Sequence, residues 1–508
     1  MKKIAHAIIL AMALFSVAVV EAKDLRNDSA QHNYQVTKKF YQSLIDSGNP
    51  NNPQLAELNL LMTMLPKGGD IHHHYTGALY AETYLDWVDK QGFCVYRVDD
   101  PARHREKYRI DSSPQGAGPT DNDCLKADAI RQDTGFYREL LMRWSDKDFA
   151  NHSHEQPAPD QQFFDTFGFF SPAAGYSAVA GLQILKQQAK ADKVQYLETM
   201  LKSAPSVDNP ALAARIDALP PDADASVVGQ ALTSYADFLD RDADAQQKIA
   251  DYKSALASYA AGIDDADFTL RFQSYVSRNN PPAQVFAGLY SAFAAAHGSK
   301  LIVGVNIVGP ENGVVAMRDY NLHMQMFHLL KQRYPDVHLS MHAGELTLGM
   351  VPPEGLRDHI RNAVEIAGAE RIGHGIDVTY ESNPDRLLEE MQQRHVAVEI
   401  CLSSNAFILG VEQKAHPVTV YLRHKVPFVI ATDDAGVSRS NIGAEYLLFA
   451  SRYKPSYDVL KQVVYNSIRY AFIDPAEKKL QLQQLDRRFI QFEAAAAKLA
   501  DDSARPLR

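Results

Sequence analysis

Eight short apolar, β-branched runs, separated by segments long enough for a helix, constrain this chain more than any other feature. In order they are GGDIHHH (68–74), VQYLETM (194–200), FTLRFQSYV (268–276), LIVGVNIVG (301–309), VHLSMHAGE (337–345), RIGHGI (371–376), VAVEICLSS (396–404) and VPFVIATDD (426–434). Apolar runs of this length read as buried strands. Strands alternating with helices imply a parallel sheet, and eight such units close naturally into a (β/α)8 barrel. In that architecture the chemistry sits at the C-terminal ends of the strands.

The 508 residues leave room for additions to a barrel. Residues 23–65 predict an amphipathic helical arm, because VTKKFYQSLI and LAELNLLMTML carry apolar side chains at three- and four-residue spacing. From about 90 to 160 the chain is polar, irregular and rich in Asp, Pro, Gln and Arg, which predicts an insertion after strand one. An acidic, Ala-rich helical stretch is expected from about 210 to 263. The domain reading is a signal segment (1–22), the arm (23–65) and the barrel (66–495).

The signal segment rests on MKKIAHAIILAMALFSVAVVEAKD: two lysines, an apolar run from Ile4 to Val20, then Val20-Glu21-Ala22 with small residues where a signal peptidase reads. The run falls short of the ~20 residues that span a bilayer. An exported protein, periplasmic or secreted, cut after Ala22 and without a membrane partner is the expectation. Cys94 and Cys124 flank a polar loop and are expected to pair in an oxidising compartment. Cys401, in an apolar run, is expected as a buried free thiol. A formal charge of -10 and the absence of a Lys/Arg-rich run exclude a nucleic-acid partner.

The ends of the runs carry a recurring chemistry. Run one ends in His72-His73-His74, run five in His342 and Glu345, run six in His374 and run eight in Asp433-Asp434. Residues i and i+2 of a strand point the same way, so His72 and His74 face the barrel mouth while His73 points outward. Two imidazoles from strand one, a third from strand five and a carboxylate from strand eight make a nitrogen/oxygen set suited to one zinc ion with an open position.

The segments PKGGDIHHHYTGAL, MHAGE, RIGHG, CLSSN and ATDD resemble, in the same order, the motifs of the adenosine/AMP deaminase family of metal-dependent amidohydrolase barrels. The lead-in MLPKGGDIHHH, the helical arm, the insertion and the export signal resemble its secreted branch, the adenosine deaminase-related growth factors and their bacterial relatives. The motifs span residues 66 to 434. The resemblance implies zinc held by His72, His74, His342 and Asp433, with hydroxide made available at neutral pH for attack on an amine-bearing purine carbon. It implies His374 as base and electrostatic guide, and Glu345 as the acid that protonates a ring nitrogen. Asp434 would contact another ring nitrogen, and Gly309, in NIVGPEN, would offer its N–H to the purine. A purine nucleoside, adenosine or 2'-deoxyadenosine, is the implied small-molecule partner. A homodimer through the N-terminal helices is also implied.

One position departs from the family pattern. Where the usual motif HxHLDG has an aspartate that contacts the sugar, this chain has Tyr75-Thr76-Gly77, so Thr76 is the expected substitute. Three rival readings make other demands on the residues. One is a related amidohydrolase acting on another amine-bearing purine or on a nucleotide, the latter needing an Arg/Lys cluster at the strand ends, and one is a binding or signalling protein on a degenerate barrel, which would have lost a ligand or Glu345. The cytidine-deaminase type requires H-x-E and P-C-x-x-C elements that are absent.

Overall fold

A computed structural model of the chain describes residues 28–503 apart from 47, 50, 114–122 and 150–156. The expected signal segment, 1–22, lies outside the described residues. Eight parallel strands form one sheet in chain order: β1 (Gly68–Asp70), β2 (Val194–Thr199), β3 (Thr269–Ser277), β4 (Ile302–Val308), β5 (His338–Ala343), β6 (Arg371–His374), β7 (Ala397–Ile400) and β8 (Phe428–Ile430). Every residue of β1, β2, β6, β7 and β8 is buried. This is the signature of a parallel sheet covered by helices outside and by packed side chains inside.

The ring closes just beyond β1 and β8, through a parallel bridge between His73 and Asp433. The His74 N–H donates to the Asp433 carbonyl at 3.1 Å, and the Asp433 N–H donates to the His72 carbonyl at 3.0 Å. One turn below, the Thr432 hydroxyl donates to the Asp70 carboxylate at 2.6 Å. Barrel closure and the expected ligand set therefore share the same backbone.

All but one of the strands are shorter than the apolar runs that announced them, the exception being β3, which is as long as its run. In VAVEICLSS, for example, β7 stops at Ile400 and a helix begins at Leu402. The crossover helices follow ordinary rules. The helix Pro384–Gln393 starts with proline at its first position, carries Asp385 in its first turn and buries Leu387, Leu388 and Met391 on one face. Each such leucine contributes roughly 1.5–3 kcal/mol on full burial, so Leu387→Asp would detach that face.

The arm is helical over 28–45 and again over Leu55–Met64, and it buries Tyr41, Leu44, Ile45, Leu58, Leu61 and Met62. It packs on the chain's own helices: the Thr37 hydroxyl donates to the Glu493 carbonyl, 3.1 Å away in the long helix Pro475–Ser503. The buried Lys67 ammonium donates to the carbonyls of Met62 and Leu65 at 2.7 and 2.8 Å, ending the second arm helix. The acidic 210–263 stretch is three helices, Pro210–Asp217, Ala225–Arg241 and Ala243–Ala260.

The described residues of the segment expected to be irregular form regular elements. Cys94–Tyr96 lies between Ile110–Asp111 and Cys124–Leu125 in a small antiparallel sheet, followed by helices Ala127–Gln132, Thr134–Arg143 and Pro159–Ala174. Strands of two and three residues are too short for any periodicity to reveal. Cys94 and Cys124 are bonded across this sheet, with Cα atoms 5.5 Å apart, and Cys401 is free and buried. Among the described residues, no helix is long and apolar enough to cross a membrane.

Candidate metal centre and active site

The side chains predicted from the strand ends meet at one point. His74 Nε2 lies 3.2 Å from His342 Nε2 and 3.2 Å from Asp433 Oδ1, and His72 Nε2 lies 3.4 Å from the same oxygen. Donors of a tetrahedral zinc site, with bonds of ~2.0–2.1 Å, stand ~3.3 Å apart. His72 Nε2 is also buried without a hydrogen-bond partner, although it faces this group. Spacing, donor type and the orphaned nitrogen together fit a divalent cation. His73, as expected, turns away, its Nδ1 2.9 Å from the Thr199 hydroxyl.

The electrostatics favour positive charge here. Burial alone would hold His72 neutral, but the neighbouring carboxylates of Asp433 and Glu399 outweigh it and raise its pKa to about 10. Burial would raise Asp433 too, yet its contacts with His72 and His74 hold it well below the carboxylate range. His342 is kept neutral by burial and by the neighbouring imidazoles.

Sequence reasoning missed the residues that aim these ligands. His72 Nδ1 meets Glu399 Oε2 at 2.6 Å, and His342 Nδ1 meets Asn306 Oδ1 at 2.9 Å. Partners of this kind fix the tautomer that leaves the other ring nitrogen free for a metal. Gly373 serves the same end, since a Cβ there would come within 2.7 Å of the His72 ring. Glu399 and Asn306 sit mid-strand in apolar runs, where a lone polar residue carries no readable signal.

Beside the ligand cluster, His374 Nε2 lies 3.6 Å from Glu345 Oε1 and 3.9 Å from Asp433 Oδ2. His374 and Asp433 both hold left-handed backbone, at φ 66° and 60°. That conformation is uncommon outside glycine and here re-aims each side chain at the end of its strand. Burial, reinforced by Asp433 and Glu311, pushes the Glu345 carboxyl well above its usual range and so favours its protonated form. Asp434 is likewise raised, by burial and then by Asp433, and its Oδ1 is buried without a hydrogen-bond partner. Gly77 makes its place, because a Cβ there would fall 1.6 Å from that oxygen.

The turn that bears Glu345 is gripped by a residue not anticipated. The N–H groups of Gly344 and Glu345 donate to the two carboxylate oxygens of Glu311, at 3.1 and 2.9 Å. Glu311 is held in turn by His359 at 2.6 Å and Arg278 at 3.5 Å. Burial opposes its ionisation, but Arg278 and His359 lower it to about 2.

A cavity of about 240 Å³ opens onto this group, lined by His74, Thr76, His342, Glu345, His374, Asp433, Asp434 and Gly309, with Met200, Tyr275 and Val308. Thr76 and Gly309, both expected at the substrate, thus line it, and Gly309 has φ 98°, a conformation glycine alone adopts freely. Phe163, Phe164 and Phe167 form an aromatic wall from the helix Pro159–Ala174. That wall was legible only as FFDTFGFF at the edge of a polar stretch. Among the described residues, no lysine or arginine lines the cavity.

The family model for adenosine deaminase matches residues 252–488, which include His342, Glu345, His374 and the Asp433-Asp434 pair. Over that segment, a little under half of the chain, the sequence is similar to the adenosine deaminase family. It is 34% identical to an Escherichia coli adenosine deaminase over 154 residues, 30% of this chain and 43% of that one. It is 30% identical to a Vibrio cholerae adenosine deaminase over 179 residues, 35% of this chain and 48% of that one. The chain therefore spans a little under half the length of these curated relatives. Among solved structures, an adenine deaminase from Arthrobacter aurescens superposes with a TM-score of 0.51 at 16% identity, covering 83% of this chain and 98% of that one. The N6-methyl-AMP deaminase of Arabidopsis thaliana gives 0.53 at 15% identity, covering 84% and 98%. Both likenesses are of fold.

Proposed function

We propose that this protein is a zinc-dependent hydrolase that converts adenosine, and 2'-deoxyadenosine, to inosine and ammonia. The observation that carries the reading is the adjacency of a metal-ligating set, His72, His74, His342 and Asp433, to a carboxyl kept protonated by burial, Glu345. Those four residues would hold a zinc ion, which when bound would lower the pKa of water to ~7 and so supply a nucleophile at neutral pH.

The chain's own residues do the rest. Glu345 donates its proton to the ring nitrogen beside the attacked carbon, which draws electron density away from that carbon. Asp434, unpaired on Oδ1, receives a second ring nitrogen, and the Gly309 N–H meets the purine edge. The phenylalanine wall excludes water and packs on a flat ring. A cavity without lysine or arginine supports a neutral nucleoside over a nucleotide. Thr76 stands where the family pattern places a sugar-binding aspartate, so sugar recognition is weaker or drawn from elsewhere. We further propose export, on the Met1–Ala22 segment and the Cys94–Cys124 bond, which suits an oxidising compartment.

The test is the ultraviolet absorbance of adenosine with purified mature protein, beside a chelated sample and the Glu345→Gln variant. Loss of the adenosine band that both controls abolish supports the reading. A folded, zinc-loaded protein that leaves adenosine intact sinks it, and turnover of adenine instead would move the assignment to the free base.

A further inference from the structure

The hydrogen bonds behind His374 determine which of its two nitrogens carries the proton. Val418 is the first residue of the helix Val418–His424, and its backbone N–H, whose direction is fixed by the chain, donates to His416 Nδ1 at 3.1 Å. His416 Nδ1 must therefore present a lone pair. A histidine with a bare Nδ1 carries its proton on Nε2. His416 Nε2 faces Asn405 Oδ1 at 3.2 Å, so it donates there. That leaves the Asn405 amide NH2 turned toward His374 Nδ1, 3.0 Å away. His374 Nδ1 accepts, and the His374 proton sits on Nε2, which points at Glu345 and Asp433.

An amide can be placed either way round in coordinates, but only one way agrees with the backbone. The opposite orientation of Asn405 would aim NH2 at His416 Nε2–H, a donor facing a donor. The chain of four is sealed from solvent: Val418 and Asn405 are 0% exposed, and His416 and His374 are 1% exposed. Water therefore has no route by which to substitute for a link.

We propose that Asn405 and His416 are positioning residues that lock His374 as a hydrogen-bond donor toward the reacting oxygen. Deepening the deaminase reading and resting on it, this gives His374 a defined part. Its Nε2–H holds one lone pair of the attacking oxygen and leaves another directed at the purine. His374 then orients the nucleophile and stabilises its charge, and it does not take the nucleophile's proton. The CLSSN segment, of which Asn405 is the last residue, acquires a chemical reason.

The decisive experiment pairs a neutron crystal structure of the zinc-loaded wild type with kinetics of two isosteric variants. In Asn405→Asp the carboxylate can only accept, so it pulls the His374 proton to Nδ1. The expected result is a kcat lower by two or more orders of magnitude on adenosine, in keeping with the ~10⁴-fold cost of a wrong tautomer in the Ser-His-Asp enzymes, with KM and zinc content near wild type. In His416→Gln the side-chain amide reproduces both links, accepting from Val418 and donating to Asn405, and kcat is expected within about threefold of wild type. A merely structural role would not separate these two variants.

Deuterium on His374 Nε2 in the neutron map supports the lock, and deuterium on Nδ1 overturns it, as does an Asn405→Asp enzyme of unchanged kcat. If Asn405→Asp fails to fold or loses zinc, the wild-type map alone decides. If wild type leaves adenosine untouched, the proposed function fails while the map still tests the lock.

Discussion

The floor and the mouth of the barrel both bury charge, and they treat it differently. On the floor Arg371 lies between Glu198 and Glu399, 2.6 Å from each, all three with fully buried side chains. The Ser340 hydroxyl donates to Glu399 and the Tyr196 hydroxyl to Glu198, at 2.9 and 2.8 Å. In the mouth, His72 Nε2 and Asp434 Oδ1 have no hydrogen-bond partner, and Glu345 is driven toward its neutral form. Buried charges that find each other hold strands together. Buried polar atoms that lack a protein partner and face an open cavity are positioned to hold a ligand, because something bound there would offset their desolvation.

The sharpest way to break this contrast is to remove a mouth ligand. His342→Ala, or chelation of the wild type, is expected to cut deamination by more than ~10⁴-fold, since water otherwise ionises far above neutral pH. Absorbance assays with metal analysis check it, and a metal-free variant of full activity would refute the assignment. Next, Glu345→Gln should lower kcat by ~10²–10⁴-fold with zinc content and unfolding midpoint unchanged.

The floor predicts the opposite pattern. Arg371→Met leaves Glu198 and Glu399 uncompensated and should cost ~3–5 kcal/mol in urea unfolding, whether or not zinc is present. A stable Arg371→Met protein would show that the floor pair adds nothing. Glu399 belongs to both regions, touching Arg371 and His72. Glu399→Gln should weaken zinc affinity by ~10–100-fold, as loss of such a supporting partner typically does, and competition with a chromophoric chelator would measure it.

What could be read in advance follows the same division. The histidines at 72 and 74 were legible as a pair because strand alternation is a local rule, and Asp433 because it ends an apolar run. The barrel was legible because eight runs recur at helix spacing, although most strands proved shorter than their runs. Glu311, Glu399, Asn306, Asn405 and His416 were not legible. Each is a single polar residue whose role depends on a partner distant in sequence, such as Glu399 with His72 across 327 positions. The small sheet after β1 was hidden for another reason, since its strands are two or three residues long and its pairing is fixed by contacts across the Cys94–Cys124 bond.

By itself, the sequence determined the barrel, the ligand types and their place at strand ends, because periodicity and donor chemistry are properties of short segments. Only the tertiary structure decided which carboxyl is neutral, which imidazole is aimed by which partner, and that an aromatic helix walls the cavity. Burial and hydrogen-bond direction arise between segments remote in the chain, and they exist only once the ring has closed at His73 and Asp433.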